Sequence, residues 1–153
     1  MTVECLLDTN ILIYAASTKT AEMPKKKRAN ELILNKRFGL STQVLAEFYA
    51  VTTAKMKPPL SPQTAKEWIE ELKKQPLVPV DAEIVEAGIE ISRRFRISYW
   101  DAAILAAAEA LGAPLVYSED LGDGQVYGAV KVINPFRDIK PASGFHDQAQ
   151  ATL

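Results

Sequence analysis

The sequence has few of the residues on which several classes of protein depend. Among 153 residues there is one cysteine and one histidine, and the formal net charge is −1. A single cysteine, Cys5, excludes an intramolecular disulfide framework and zinc sites that need several thiolates. A single histidine, His146, excludes metal sites built from histidine pairs and argues against histidine acid–base chemistry. Any catalytic groups are therefore expected to be carboxylates.

Long apolar runs and a dominant sign of charge are missing as well. Uncharged, mainly apolar stretches such as 11–16 and 102–108 are far short of the roughly 20 residues that cross a bilayer. The first residues lack the basic and apolar regions of a signal peptide, so we expect a soluble cytoplasmic protein without membrane contact. Because the net charge is near zero, attraction of nucleic acid would depend on local basic patches.

Short apolar runs alternate with helical patterns along the chain. The runs predict strands at 3–7, 38–40, 77–80, 115–117 and 130–133. Apolar periodicity and capping residues predict helices at 11–16, 22–36, 42–56, 62–74, 82–94 and 99–111. This alternation is typical of an α/β sandwich with a mostly parallel central sheet of four to five strands and helices on both faces.

One domain is expected from the length of the chain. We assign it to residues 1–137. Residues 138–153 carry proline, serine, glycine, glutamine and alanine without periodicity. They are therefore predicted to form a loosely ordered C-terminal tail.

Four acidic residues stand where ligands bind or where an acid is unusual. Asp8 directly follows the first strand and Asp120 comes shortly after the fourth, at the edge of the sheet where α/β proteins bind ligands. Asp101 lies on an apolar helical face, and Glu47 on a face of small residues. Carboxylates brought close together repel one another unless protons or cations neutralise them. Mg²⁺ and Mn²⁺ prefer oxygen ligands, so the acids predict a metal site that activates water.

Each acid also has a purely structural interpretation. Asp8 can cap the following helix, and Asp101 fits a capping box with the serine three residues before it. Glu47 can be a half-exposed helix residue, and Glu119 with Asp120 can form a solvated acidic turn. Singly, these interpretations are at least as good as the metal site, whereas the four acids together favour the site.

The sequence around these acids resembles the PIN-domain family, and most closely the VapC-type toxins of bacterial and archaeal toxin–antitoxin pairs. The resemblance covers about residues 3–137. It rests on four motifs in this order: 6–12 (LLDTNIL), 41–48 (STQVLAEF), 99–104 (YWDAAI) and 118–121 (SEDL). It implies the family's three-layer sandwich and the hydrolysis of RNA phosphodiester bonds, with Mg²⁺ or Mn²⁺ as cofactor.

The resemblance also implies roles for individual acids. Asp8, Glu47, Asp101 and Asp120 match the family's catalytic quartet. Asp8, Asp101 and Asp120 match direct metal ligands, while Glu47 either binds a second metal ion or acts through water as ligand or base. Glu119 stays open as a residue that shares the fourth acidic role.

Further residues match supporting or substrate-binding positions. Asn10 and Ser118 match polar residues that orient ligands or water near the metal. Arg93, Arg94 and Arg96 precede the third acid and are candidates for contacts with RNA phosphates.

Other polar and aromatic residues have no clear assignment. The basic run 25–28 (KKKR) is more typical of a solvated helix face than of an RNA contact. Tyr99 and Trp100 can stack on bases, but their flanking apolar helix favours a core or dimer position. No role is assigned to Asp123 or Gln125.

The resemblance implies three partners: an RNA substrate, a cognate antitoxin protein and a second copy of the chain. We expect the apolar parts of the 22–37 and 42–74 helices to make the protein contacts. Two other functions remain compatible with the sequence. One is a PIN nuclease of RNA processing or decay, and the other is a non-catalytic PIN-like module that binds RNA or protein.

Overall fold

The chain alternates between strands and helices as its pattern predicts. The structure, a computed structural model, describes residues 2–140, so the predicted tail lies almost wholly outside the described residues. The strands are β1 (Cys5–Leu7), β2 (Phe38–Ser41), β3 (Leu77–Val78), β4 (Leu115–Tyr117), β5 (Val126–Tyr127) and β6 (Val130–Ile133). The helices are α1 (Thr9–Ala16), α2 (Met23–Asn35), α3 (Thr42–Ala54), α4 (Pro62–Leu72), α5 (Ala82–Phe95) and α6 (Tyr99–Leu111), with a short 3₁₀ turn at Thr20–Glu22.

The strands form one sheet in the order β3-β2-β1-β4-β6-β5. Every neighbouring pair is parallel except β5 with β6, which is antiparallel. The predicted count of four to five strands is therefore wrong, because the sheet has six strands within residues 2–140 alone. The missed strand, β5, has only two residues and leads into a turn at Gly128 with φ +62°, which is too short for an alternating pattern to be recognised. β3 borders the sheet, and Pro79 directly follows it, which agrees with the confinement of proline to the edges and ends of strands.

The centre of the sheet is covered on both faces by helices. All three residues of β1 have no exposed surface, although successive side chains of a strand point to opposite faces. This burial is typical of a parallel sheet between two helical layers. Within residues 2–140 no helix is both long and apolar enough to cross a lipid bilayer.

Helix α6 is the central helix of the fold. The run 102–108 within it is buried along its whole length, and the helix contacts five of the six strands as well as α5. Small side chains allow this close approach. At Gly88 of α5, an added Cβ would lie 3.0 Å from Cε1 of Tyr99 and 3.4 Å from Cα of Ala103.

Gly88→Val is expected to destabilise the protein because its side chain would collide with α6. Overpacking of this kind costs about 1–3 kcal/mol, which lowers the melting temperature by roughly 2–12 °C in a domain of this size. Thermal melting followed by circular dichroism measures the effect. Ala110→Val, at an exposed helical position, is the control and should cost about 0.7 kcal/mol or less. Equal melting of the two variants would contradict the close α5–α6 contact.

Candidate functional site

The first part of the site arises where β1 and β4 end side by side. Leu7 pairs with Tyr117 in parallel register, so the residues that follow, Asp8 and Ser118, emerge next to each other. The Ser118 hydroxyl donates to Oδ2 of Asp8 at 2.7 Å, and the Thr9 amide donates to Oδ1 at 2.7 Å. Asp8 is also the N-cap of α1. Its capping role and its place at the sheet edge are thus compatible, rather than alternatives.

Ser118 holds the turn that carries Asp120. Its side chain is fully buried, and its oxygen accepts from the backbone amides of Asp120 at 3.1 Å and Leu121 at 3.3 Å. The same hydroxyl therefore binds one carboxylate directly and positions the backbone of another.

Asn10 connects the two carboxylates from the other side. Its Nδ2 donates to Oδ2 of Asp120 at 3.0 Å and lies 3.5 Å from Oδ2 of Asp8. Its Oδ1 accepts from the Glu119 amide at 3.2 Å. Because the backbone amide can only donate, this contact determines which end of the Asn10 side chain faces the acids.

Two helices bring the remaining acids to the same place. Glu47 projects from α3, whose N-terminus is capped by Ser41, and its Oε1 accepts from the Thr9 hydroxyl at 2.9 Å. Asp101 lies in the first turn of α6, where its backbone amide donates to Oγ of Ser98 at 3.1 Å. Ser98 thus caps the helix through the backbone of Asp101. Within residues 2–140 the Asp101 carboxylate makes no return bond to Ser98, so only half of the predicted capping box is present.

The four acids line one cavity of about 240 Å³. Its wall consists of Asp8, Thr9, Asn10, Ile13, Gln43, Glu47, Val51, Trp100, Asp101, Ile104 and Asp120. In the described part of the chain, none of the four carboxylates forms a salt bridge with lysine or arginine. Burial raises the pKa of Asp8 above its usual value, and the charges of Asp120 and Glu47 raise it further. The cavity thus brings several carboxylates together, and no lysine or arginine of residues 2–140 neutralises them through a salt bridge.

The donor set fits a hard divalent cation in an open site. Over residues 2–140, no group of three or more histidine, cysteine or acidic side chains stands in an arrangement that could hold a metal ion by itself. Mg²⁺ rarely needs such a cage, because it usually keeps several waters and binds one or two carboxylates together with substrate phosphate. Among the described residues, its lining offers carboxylate, amide and hydroxyl oxygens, with no thiolate or imidazole. These are the ligands that Mg²⁺ and Mn²⁺ prefer.

Glu119 lies beside this site but does not line the cavity. Its Oε1 accepts from the Tyr14 hydroxyl at 2.6 Å, and its Oε2 forms a salt bridge with Lys25. Lys25 also lies over the rings of Tyr14 and Phe136, at 4.8 Å and 5.7 Å from their centroids. Burial and the bond to Glu119 raise the pKa of Tyr14, which keeps this hydroxyl protonated as a donor. Glu119 therefore attaches the 118–120 turn to α1 and α2.

The basic run 25–28 is not the solvated helix face that its composition predicts. Lys25 is bound to Glu119, and Lys26 donates to the Ser17 carbonyl at 2.7 Å. Arg28 donates to the Pro135 carbonyl at 2.5 Å and forms a salt bridge with Asp138 at 3.1 Å. Of the four residues of this run, only Lys27 is exposed. The run thus connects α2 to the loops that follow β4 and β6.

The three arginines suggested as RNA contacts do not line the cavity. Arg93, Arg94 and Arg96 are exposed around the C-terminus of α5. The guanidinium of Arg94 lies 4.8 Å from the ring centroid of Phe95. Contact between these arginines and RNA stays a prediction.

Asp123 has a structural position in the loop after β4. Its Oδ1 accepts from the Asn134 amide at 2.8 Å, and its Oδ2 accepts from Arg137 at 3.0 Å. These bonds, chiefly the one from Asn134, hold the pKa of Asp123 below its usual range. Gln125 pairs through its backbone, accepting from the Val132 amide at 2.9 Å. Neither residue lines the cavity.

Sequence reasoning missed Thr9 and misjudged Trp100, both of which line the cavity. Thr9 was not singled out, although its hydroxyl orients Glu47, because its partner lies 38 positions away along the chain. Trp100 was expected in the core or in a dimer interface. The core position is wrong, since Trp100 is 64% exposed and lines the cavity. The sequence signal that could have indicated a place in the cavity is that Trp100 directly precedes Asp101.

Comparisons with known proteins agree with this architecture. A toxin–antitoxin complex from Klebsiella pneumoniae superposes with a TM-score of 0.64 at 18% identity, covering 86% of this chain and 98% of that one. VapC20 from Mycobacterium tuberculosis, described as a sarcin–ricin loop cleaving toxin, gives 0.61 at 18% identity, covering 76% and 90%. DNA-bound VapBC from Salmonella typhimurium gives 0.63 at 16% identity, covering 88% and 99%.

These superpositions, at such low sequence identities, show a shared fold. A sequence comparison with curated proteins gives no match. The family model described as "PIN domain" matches residues 5–123, which is most of the chain and includes all four acids of the cavity. The protein therefore belongs to the PIN-domain family.

Proposed function

We propose that this protein is an endoribonuclease that uses Mg²⁺ or Mn²⁺ to hydrolyse RNA, and that it is the toxin of a toxin–antitoxin pair. One observation carries the proposal. In a PIN-domain chain, acids from four separate segments line one cavity, and within residues 2–140 no basic side chain is paired with any of them. Such an arrangement is unfavourable for the protein alone and favourable around a divalent cation.

A divalent cation at this site would supply an activated water and neutralise the charge that develops on the scissile phosphate. The protein's own groups hold the ligands in place. Ser118 and the Thr9 amide bind the two oxygens of Asp8, and Asn10 bridges Asp8 to Asp120. We assign Asp8, Asp101 and Asp120 as direct metal ligands, because they line the cavity and match the family's ligand positions.

Glu47 has the geometry of a proton acceptor or of a ligand through water. Its Oε1 accepts from the Thr9 hydroxyl at 2.9 Å, which orients the carboxylate towards the cavity. Within the described residues Oε2 has no hydrogen-bond donor, so this oxygen can take a proton from an attacking water. No histidine is needed for this step.

The proposed toxin role is supported by the structurally similar proteins rather than by the acidic cavity. The related folds include a toxin–antitoxin complex and a toxin described as cleaving the sarcin–ricin loop. A protein partner also suits the groove of about 550 Å³ between α2 and α4, whose lining includes Ile33, Trp68 and Leu72 together with charged residues. We assign this face to antitoxin contact and expect the active protein to be a homodimer.

Thermal melting of wild type and Asp101→Asn, each with EDTA and with Mn²⁺, tests the metal site. Without metal, Asp101→Asn should melt at or above wild type, because one of several repelling charges is removed. At a hundredfold excess over its dissociation constant, Mn²⁺ should stabilise wild type by about 2.7 kcal/mol, or roughly 5–11 °C. The variant should gain far less.

The matched control is Glu109→Gln, which removes an exposed acid at the other end of α6. This variant should respond to Mn²⁺ as wild type does. If Asp101 were only part of a helix cap, its loss should cost about 1 kcal/mol and Mn²⁺ should change neither protein. That result would favour the non-catalytic binding module. A metal response in a chain encoded without a neighbouring antitoxin gene would favour a nuclease of RNA processing.

A further inference from the structure

Among residues 2–140, Trp100 is the one large aromatic side chain in the wall of the acidic cavity. It is 64% exposed. The other tryptophan, Trp68, packs against Phe48 with ring centroids 5.6 Å apart. Among the aromatic pairs of residues 2–140, Trp100 instead packs only with its neighbour Tyr99, in a T-shaped arrangement with ring centroids 5.1 Å apart and an interplanar angle of 73°. Its indole is therefore held at one side while most of its surface faces solvent.

Exposure alone does not make a binding site. Single apolar side chains are common on protein surfaces, and Leu34 is 81% exposed without lining the cavity. Trp100 differs because its ring lies beside the carboxylates on which the proposed chemistry depends. A chain of phosphates that enters the cavity would bring its bases to the surrounding wall.

The local backbone holds the indole in a defined place. Ser98 caps α6, so Trp100 and Asp101 both lie in the first helical turn. Successive residues of a helix are separated by roughly 100° around its axis. Both side chains nevertheless line the same cavity. The T-shaped contact with Tyr99 restricts the indole further.

We propose that Trp100 is a stacking platform for a base of single-stranded RNA adjacent to the scissile phosphate. This inference rests on the proposed function and adds a feature of the substrate to it. Stacking on an aromatic ring requires a base that has left its own helix, so the enzyme should prefer loops and unpaired ends to continuous duplexes. Since every base has a π-face, this contact tolerates many sequences.

The test compares Trp100→Leu with Trp100→Phe, since both are apolar but only Phe keeps an aromatic face. The probe is a short, mixed-sequence single-stranded RNA with fluorescence anisotropy as readout, measured in EDTA so that the divalent cation that the proposed cleavage needs is withheld. A second probe is the same oligomer without its bases. Leu34→Ala is the control for loss of an exposed apolar side chain. Cleavage of total RNA in Mn²⁺ is measured separately, so failure of the nuclease activity is distinguishable from failure of stacking.

Trp100→Leu is expected to weaken binding of the intact RNA roughly 5- to 100-fold, in line with the loss of one stacked base. Trp100→Phe should retain most of the affinity, and Leu34→Ala should match wild type. Binding of the base-free oligomer should be weak and equal in all four proteins. In the Trp68→Phe background, where Trp100 is the only tryptophan, intact RNA should quench the fluorescence and the base-free oligomer should not.

Equal binding of intact RNA by wild type and Trp100→Leu would overturn the inference, whether or not the protein cleaves RNA. So would equal affinity of wild type for the intact and base-free oligomers. If Trp100→Leu instead changed the oligomeric state in analytical ultracentrifugation while RNA binding stayed the same, Trp100 would be a protein contact. Metal-dependent cleavage with no effect of Trp100→Leu would leave the proposed function intact and overturn this inference alone.

Discussion

Asp120→Asn is expected to lower the rate of RNA cleavage more than about 100-fold, whereas Glu119→Gln next to it should lower that rate less than about tenfold. Loss of a residue that merely supports a metal ligand costs about 10–100-fold, so loss of a ligand should cost more. Asp120 lines the cavity and accepts from Asn10 at 3.0 Å. Glu119 points away and is bound to Tyr14 and Lys25.

The two variants form a matched pair because each replaces an acid by its amide in the same turn. Glu119→Gln keeps an oxygen that can accept from Tyr14, so the turn should stay in place. Cleavage is measured on total RNA in Mn²⁺, with the appearance of new RNA 5′ ends as readout. Equal losses in both variants would show that Glu119 shares the fourth acidic role. Full activity of Asp120→Asn would exclude Asp120 from the site.

Ser118→Ala is expected to lower both stability and cleavage. Its fully buried oxygen accepts from the amides of Asp120 and Leu121 and donates to Asp8. Leaving a buried donor unsatisfied costs about 1–3 kcal/mol, which lowers the melting temperature by roughly 2–12 °C. Because Asp8 and Asp120 both lose their support, cleavage should fall by about 10–100-fold at temperatures where the variant is folded.

Ser17→Ala is the matched control for this variant. Ser17 is also fully buried and also bonds through its hydroxyl, donating to Glu22 at 2.5 Å and accepting from the Lys19 amide at 3.2 Å. It does not line the cavity. Ser17→Ala should therefore destabilise the protein to a similar degree and leave the cleavage rate of the folded protein unchanged. If both variants lost activity in proportion to their stability, Ser118 would have only a structural role.

Local sequence signals were sufficient to predict most of the helices and strands of this fold. Capping residues predicted helices that start near positions 42, 62, 82 and 99, and in the structure the side chains of Ser41, Ser61, Asp81 and Ser98 each accept from the amide three residues on. Such signals work because a cap and the first helical turn lie within four residues of each other. β5 escaped detection because its pairing with β6, and not its own two residues, defines it as a strand.

The basic run 25–28 shows where local reasoning fails. Adjacent lysines and arginines are usually solvated, yet Lys25 is bound to Glu119, 94 positions away, and Arg28 to Asp138, 110 positions away. Composition does not indicate such partners, because the folded chain brings them together. The opposite holds for Trp100, whose apolar surroundings in sequence predicted burial although its own side of the helix opens to the acidic cavity.

The sequence by itself determined the strand–helix alternation, the motifs around the acids and the family to which the chain belongs. Each of these depends on residues within a few positions of one another. Only the tertiary structure decided that Glu119 turns towards Lys25, that Thr9 orients Glu47 and that the four acids share one cavity with an exposed tryptophan. These contacts join segments that are remote along the chain, and the parallel pairing of β1 with β4 and the packing of the helices around the sheet bring them together.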